Sequence, residues 1–472
     1  NQTLSLNIGA ASNALVISSG STLILGSSTA TFTLSFITTT TQKADISGTL
    51  QVNTSNAFTT TTITTASGVT VSSTGVIKNN GGAINGSATS LNFALGGTYN
   101  HAATAGTVPT ATWNSGSNCN ITSGSSGTVL GLGQSFSNFT MNTAAAVVIT
   151  LSTNPTITGT LTMTQGVLAL ASQTLTLSGT ITGSGATFTT TSGSILSIGG
   201  TTGGNYGTLY FTGGSQTIGT FTVNRTGASP SVDLGNTLIV QTALNLTSGS
   251  VTASTGGLTI GVPATTVTTT RTAGSLTNVP TWGYTTGAYN IIYNGAAAIN
   301  TGNELPSSAT PTNGTLTVST GGTNVTLMAD ANIGTLTTSV ATTTTFNLNG
   351  FTLGLSLATP VSNTGVITAN AATSTIKFNG TVAQTFTLGG TYTGSLISNM
   401  VVDNSFSTSG LTVSTTNINV GSLTINASRF MTLNGVNINV TKDVDNNGTV
   451  TTSIASSAIT MNGSLAQTIK SS

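Results

Sequence analysis

Charge is what this sequence lacks most. Of its 472 residues only 3% are Asp, Glu, Lys or Arg, against roughly a quarter in an average soluble domain. Eight basic and seven acidic residues leave a net charge of +1. That is too little to neutralise phosphates or to draw the chain to an anionic membrane surface, which excludes nucleic-acid binding as a main role. One cysteine, Cys119, excludes an internal disulfide framework and reads as a small core residue. There is one histidine, His101, and one glutamate, Glu304, and the aspartates are scattered apart from Asp443 and Asp445. Glycoside chemistry needs carboxylates in pairs, and nucleophilic catalysis needs a base beside its nucleophile, so the chain reads as no enzyme. No run approaches the roughly 20 apolar residues of a membrane-spanning helix, and Asn1-Gln2-Thr3 lacks the basic and apolar regions of a signal peptide.

What remains is rich in small and β-favouring residues. Hydrophobic residues make up 37% of the chain and the mean hydropathy is +0.27, enough to build a core and unlike a disordered segment. The 58 glycines, with Thr, Ser and Asn, favour strands and turns over helices. In Ile157–Ile181 the apolar residues alternate as Leu161/Met163, Leu168/Leu170 and Leu175/Leu177, which is strand periodicity. The pairs recur every seven residues, with Gly166, Ser172 and Gly179 in or near the gaps. Leu4/Leu6, Leu15/Ile17, Leu23/Leu25 and Phe32/Leu34 predict four strands at the start. The Thr-rich stretch 38–65 continues the pattern on Ile46, Leu50 and Val52.

A longer repeat is carried by words. KFNGTVAQTF (Lys377–Phe386) and TMNGSLAQTI (Thr460–Ile469) match position by position. YFTGGSQTI (Tyr210–Ile218) and GLGQSF (Gly131–Phe136) are weaker copies aligned on Gln216 and Gln134, and Tyr293-Asn294-Gly295 falls where another belongs. FTMN (Phe139–Asn142) matches FTVN (Phe221–Asn224) at the same interval. The long repeat is therefore about 83 residues, with starts near 130, 211, 293, 378 and 461. Three seven-residue sides make a rung of about 21 residues, and four rungs approach the long repeat. The expected fold is all-β: a single continuous parallel β-helix (β-solenoid) over 1–472, three-sided, of about 22 rungs, and a segment of a longer chain. Tandem β-sandwich domains are the alternative. Asn-Gly at Asn294, Asn349, Asn379, Asn434 and Asn462 predicts tight bends with positive φ.

The words themselves are familiar. Gly96–Ser123 (GGTYNHAATAGTVPTATWNSGSNCNITS), followed by GLGQSFSNFTMN and ITGTLTMTQGVLALASQTLTLSG, resembles the repetitive surface proteins of Bacteroidetes-type bacteria exported by the type IX secretion system. The resemblance covers most of the chain. It implies secretion to the cell surface, a β-solenoid body and an adhesive or structural role, and it transfers no catalytic residue. The signal peptide and C-terminal sorting domain usual in that family are not found in this sequence, in line with the expectation of a segment.

Two sets of residues invite a binding role. Asp443-Val444-Asp445-Asn446-Asn447-Gly448 has the opening of a calcium loop, with Asp443, Asp445 and Asn447 as candidate ligands, although Ile454 stands where a bidentate Glu belongs. An ordinary bend, as at Asn79-Asn80-Gly81, is the competing reading. Trp113 and Trp282 follow the similar words VPTATW and VPTW and are candidate stacking platforms for sugar rings, with core packing as the alternative. Asn-x-Ser/Thr triplets such as Asn53, Asn120, Asn138, Asn245 and Asn324 arise by chance in such a composition. Near-zero charge and stacked strands favour self-association into a fibre or layer. The functional expectation is a secreted structural or adhesive surface protein, with an adhesin stalk or glycan-binding module as the second reading. A carbohydrate-active β-helix enzyme would need a carboxylate cluster that the sequence does not supply.

Overall fold

The computed structural model describes residues 2–5, 13–26, 32–36, 43–60, 68–104, 106–254, 256–307, 313–319, 324–339, 344–387, 389–414 and 417–471. Among them every regular element is a strand. The chain is a parallel β-solenoid of about 18 turns. Backbone contacts divide it into two compact units: Asn1–Val240 with Gly249–Thr259, and Gln241–Ser248 with Ile260–Ser472.

In the first unit one turn can be followed from Leu161. Thr160–Ala169 supplies two sides and bends at Gly166, whose φ is +100°. A Cβ there would lie 1.9 Å from Thr143 Oγ1, so glycine is required both by backbone geometry and by space. Thr174–Leu177 is the third side, and Thr180–Thr182 returns over the first, with Ile181 on Leu161. The seven-residue spacing of the three apolar pairs thus marks three sides of one coil. On that face Leu50, Ile77, Tyr99, Cys119, Phe139, Leu161 and Ile181 stack in register. None is more than 5% exposed. Ile149, Leu168 and Phe188 form the second ladder, and Ile157, Leu177, Ile198 and Val223 the third. Burying each such side chain stabilises the stack by about 1.5–3 kcal/mol, which a strand of three to five residues could not obtain alone.

The second unit repeats the plan. Ile291, Leu316, Leu336 and Val361 make one ladder. Val325, Phe346, Ile367 and Tyr392 make another. The third runs through Leu353, Ile376, Met400, Leu423 and Val444. Parallel ladders between successive turns leave no place for tandem sandwiches, whose sheets are antiparallel. The four expected strands at the start are Gln2–Ser5, Asn13–Ile17, Thr22–Leu25 and Phe32–Phe36. Ile46, Leu50 and Val52 are fully buried, whereas Leu6 and residues 38–42 and 61–65 lie outside the described residues.

Two expectations need correction. Turns are not uniform: partners one turn apart are separated by 20 residues at Thr160 and Thr180 but by 27 at Asn53 and Asn80. There are accordingly fewer turns than 22, and the words of the long repeat do not return to the same face. Phe139 stacks between Cys119 and Leu161, whereas Phe221, its counterpart one long repeat on, stacks on Leu196 in a different ladder. Likewise Phe378 stacks between Leu355 and Val402, while Met461 stacks on Val440.

The second correction concerns Asn-Gly. Only Asn349 adopts a positive φ, 52°, while at Asn434 the following Gly435 does so. At Asn294, Asn379 and Asn462 neither residue does. There glycine serves close approach: a Cβ on Gly295, Gly380 or Gly463 would meet Thr272 O, Ser356 O or Thr441 O of the turn below at 2.2–2.5 Å. In the two best-matched words the glutamine completes a clip. Gln384 Oε1 accepts from Gly380 N at 3.2 Å, and its Nε2 donates to Leu355 O and Leu357 O of the preceding turn at 2.8 and 3.0 Å. Gln467 repeats this with Gly463 N, Val440 O and Lys442 O at 2.8–2.9 Å. The repeated word is a stitch between turns, which explains why it recurs on different faces.

Gln384 is 1% exposed and also accepts from Asn404 Nδ2 at 2.7 Å. Gln384→Leu is therefore expected to cost about 2–4 kcal/mol by orphaning several buried groups, and Gln467→Leu, in a more open site, about 1 kcal/mol. Urea unfolding together with loss of exchange protection at the Gly380 amide measures it. Equal costs at the two sites would contradict the clip.

Candidate functional site

Four of the rare chemistry-bearing side chains, His101, Cys119, Arg225 and Glu304, are turned inward. His101 is fully buried, with Nδ1 3.0 Å from the Tyr99 hydroxyl, to which Asn79 Nδ2 donates at 3.2 Å. Burial pushes the imidazole down from 6.5 to about 4 and holds the Tyr99 and Cys119 acidities far below their ordinary strength. Cys119 lies between Tyr99 and Phe139 in the ladder, a core position as expected. Arg225 is also fully buried, and its bonds go to backbone oxygens. It donates to Gly179 O, Gly199 O and Thr202 O at 2.7–3.1 Å and lies 5.0 Å from the centre of the Tyr206 ring, tying successive turns together.

The two tryptophans part company. Trp113 is 9% exposed and stacks face to face on Phe93, 4.3 Å between centroids and 3° between planes. Its Nε1 donates to Gln134 Oε1 at 3.0 Å. It is a core residue and offers no face to a sugar ring. Trp282 is half-buried and lines an open recess of about 490 Å³ in the second unit.

Three successive turns build that recess. The first brings Val279 and Trp282, the second the bend Thr301–Ser307, and the third Met328–Ala331. Trp282 leans on Tyr289, 5.0 Å away at 58°, and Tyr289 stacks in turn on Tyr284. The bend is anchored from beneath by Glu304, which is fully buried. Its Oε1 forms an ion pair with Arg271 and accepts from Tyr293 Oη at 3.0 Å and from Gly302 N at 2.9 Å. Tyr289 Oη donates to the Glu304 carbonyl at 2.5 Å, and Asn303 Nδ2 to Leu276 O at 3.1 Å. The ion pair and both hydrogen bonds converge on Oε1, while the buried Oε2 has no hydrogen-bond partner among the described residues, so the cluster fixes the wall of the recess through one carboxylate oxygen. At the rim, Asp330 is exposed and its Oδ1 accepts from Thr352 N at 2.8 Å.

Family models, curated proteins and solved structures yield no match to this chain. Its site must be read from its own residues.

Asp443, Asp445 and Asn447 are used by the backbone and by one another. Asp443 Oδ1 accepts from Thr468 N of the next turn at 2.8 Å, and Asp445 Oδ1 from Asn447 Nδ2 at 2.9 Å, so the amide nitrogen of Asn447 faces the carboxylate. Among the described residues no three His, Cys, Asp or Glu side chains converge as metal ligands. Val444–Asn446 is a strand in register with Leu423–Ile425 and Ile469–Ser471, so Asp445 sits within the ladder, with Asp443 before the strand and Asn447 after it. Reading the sequence singled out Trp282 but missed its setting: Asp330 and the Glu304 bend lie far from it along the chain. The one available signal was the word TGNELPS (Thr301–Ser307), which breaks the Thr alternation with the sole glutamate.

The buried imidazole has a consequence for acid stability. Between pH 6.5 and 4 the unfolded chain takes up a proton that folded His101 refuses, so its contribution is complete above 6.5 and is lost as the pH falls towards 4. Over that window the wild type is expected to lose about 3 kcal/mol more than His101→Gln. Denaturant midpoints at both ends of the range check this, and parallel losses in the two proteins would contradict it.

Proposed function

We propose that this chain is a secreted structural or adhesive surface protein that works by self-association into a fibre or extracellular layer. The observation that carries the reading is the character of its outer walls. In the first unit Asn100 and Asn120, Asn118 and Asn138, and Thr162 and Thr182 bond from turn to turn at 2.9–3.3 Å. In the second, Asn419 and Asn439, and Thr432 and Thr451, do the same at 2.9–3.0 Å. These pairs are neutral and sit on regular sheets, with Lys78 the charged neighbour in register with Asn100.

Charge is further withdrawn from the surface than composition implies. Arg225 and Glu304 are buried. Burial alone would raise the Asp403 carboxyl, yet Lys377 and Arg429, with which it pairs at 2.7 and 3.3 Å, hold it below the usual carboxylate range. Little electrostatic repulsion then opposes lateral contact between copies. The surface-protein part of the reading rests on the resemblance of Gly96–Ser123 and the words after it, and it assigns no catalytic residue.

Two like charges set into one wall should undo the contact. Thr162→Lys/Thr182→Lys is expected to weaken association at least about tenfold at low ionic strength, with recovery near roughly 0.5 M salt where charges are screened. Light scattering and electron microscopy of the full chain provide the readout. A wild-type protein that stays monomeric at high concentration would sink the proposal.

A further inference from the structure

We infer that the recess lined by Trp282, Val279, Leu305, Met328, Asn303 and Asp330 is a carbohydrate-binding site for neutral or amino sugars, a role that goes beyond self-association. A pyranose ring has one face of C–H bonds and an edge of hydroxyls, and it needs an apolar platform beside fixed polar acceptors. The recess supplies both. Its apolar surface is not core: Val279 is 63% and Met328 46% exposed, on either side of the half-buried indole. Such residues grouped around an open cavity mark a place that something covers.

The platform is prearranged. Trp282 rests against Tyr289, whose hydroxyl is fastened to Glu304, and the same glutamate holds Gly302 and Arg271. The facing wall is fixed independently: Thr301 Oγ1 accepts from Met328 N at 3.0 Å, and Asp330 is tied to Thr352. A site whose walls are already ordered loses little freedom on binding, which suits the shallow contacts that sugars make.

Charge narrows the ligand class. Among the described residues that line the recess, Asp330 is the only ionisable one, and none is Lys or Arg. A carboxylated, sulfated or phosphorylated sugar would meet like charge without a partner, whereas a hydroxyl or ammonium edge would find an acceptor. Glu304 is a positioning residue here: it shapes the bend and makes no contact with the ligand.

The test uses the full chain carrying Trp113→Phe, so that Trp282 alone fluoresces. It is titrated with maltopentaose, cellopentaose, chitopentaose and chitosan pentamer, with trigalacturonate as the anionic control. At least one neutral or amino oligosaccharide is expected to shift the emission with millimolar or tighter affinity. Calorimetry on the otherwise wild-type chain is expected to show about a tenfold loss in Trp282→Ala and a smaller loss in Asp330→Asn, which keeps the acceptor for Thr352. Unchanged circular dichroism would show that both variants fold. Absence of binding to every sugar up to about 5 mM, binding that survives Trp282→Ala, or preference for trigalacturonate would each overturn the assignment. An emission shift produced by protein concentration alone, without sugar, would give the recess to a second copy instead.

Discussion

The backbone ladder between successive turns is the constraint on which everything else in this protein depends. Each short strand is stable only because another strand lies one turn above and one below, in register, with like side chains in line. Where the chain must lie close to the turn beneath, side chains disappear: a Cβ on Gly179 would sit 1.8 Å from Gly159 O, and one on Gly75 1.8 Å from Ile46 O. Abundant glycine is therefore a consequence of stacking, and only part of it, as at Gly166, reflects left-handed backbone.

The same constraint governs polar chemistry. A coil of stacked turns exposes backbone carbonyls at its corners, and the buried polar side chains are spent on them. Gln384 spans two carbonyls of one turn, Arg225 reaches three carbonyls from the turns before it, and Glu304 gathers an arginine, a tyrosine and a backbone amide. With so few ionisable groups and several of them inside, the outside is a surface of hydroxyls and amides. Its distinguishing features are shape and the few places where a bend leaves the regular coil, and the Thr301–Ser307 segment is such a bend beside an aromatic wall.

Much of this architecture was legible in the sequence because strand periodicity is local. The alternation in Leu161/Met163, Leu168/Leu170 and Leu175/Leu177 requires no knowledge of partners, and their seven-residue spacing yields the three sides directly. What requires register was not legible. Corner lengths change the turn from 19 residues at Thr432–Thr451 to 30 at Gln2–Phe32, so words one long repeat apart land on different faces while keeping the same local job. The indole of Trp113 and that of Trp282 follow nearly the same word, yet one meets Phe93 in the turn below and the other faces an opening made by residues two turns on. Only stacking brings Trp282 and Asp330 to one recess, and alternation cannot count turns.

The central claim, that the turn and not the long sequence repeat sets neighbours in space, can be read by cysteine pairing in the first unit. Native Cys119 is buried and stands aside. Thr140 lies in register with Thr162, whereas Thr222, the counterpart of Thr140 in the long repeat, lies in register with Ser197. Adjacent parallel strands sit about 4.8 Å apart, within reach of a disulfide. Mild oxidation of the monomer should close Thr140→Cys/Thr162→Cys completely and leave Thr140→Cys/Thr222→Cys reduced. Closure of the second pair, or failure of the first, would contradict the stacked-turn account.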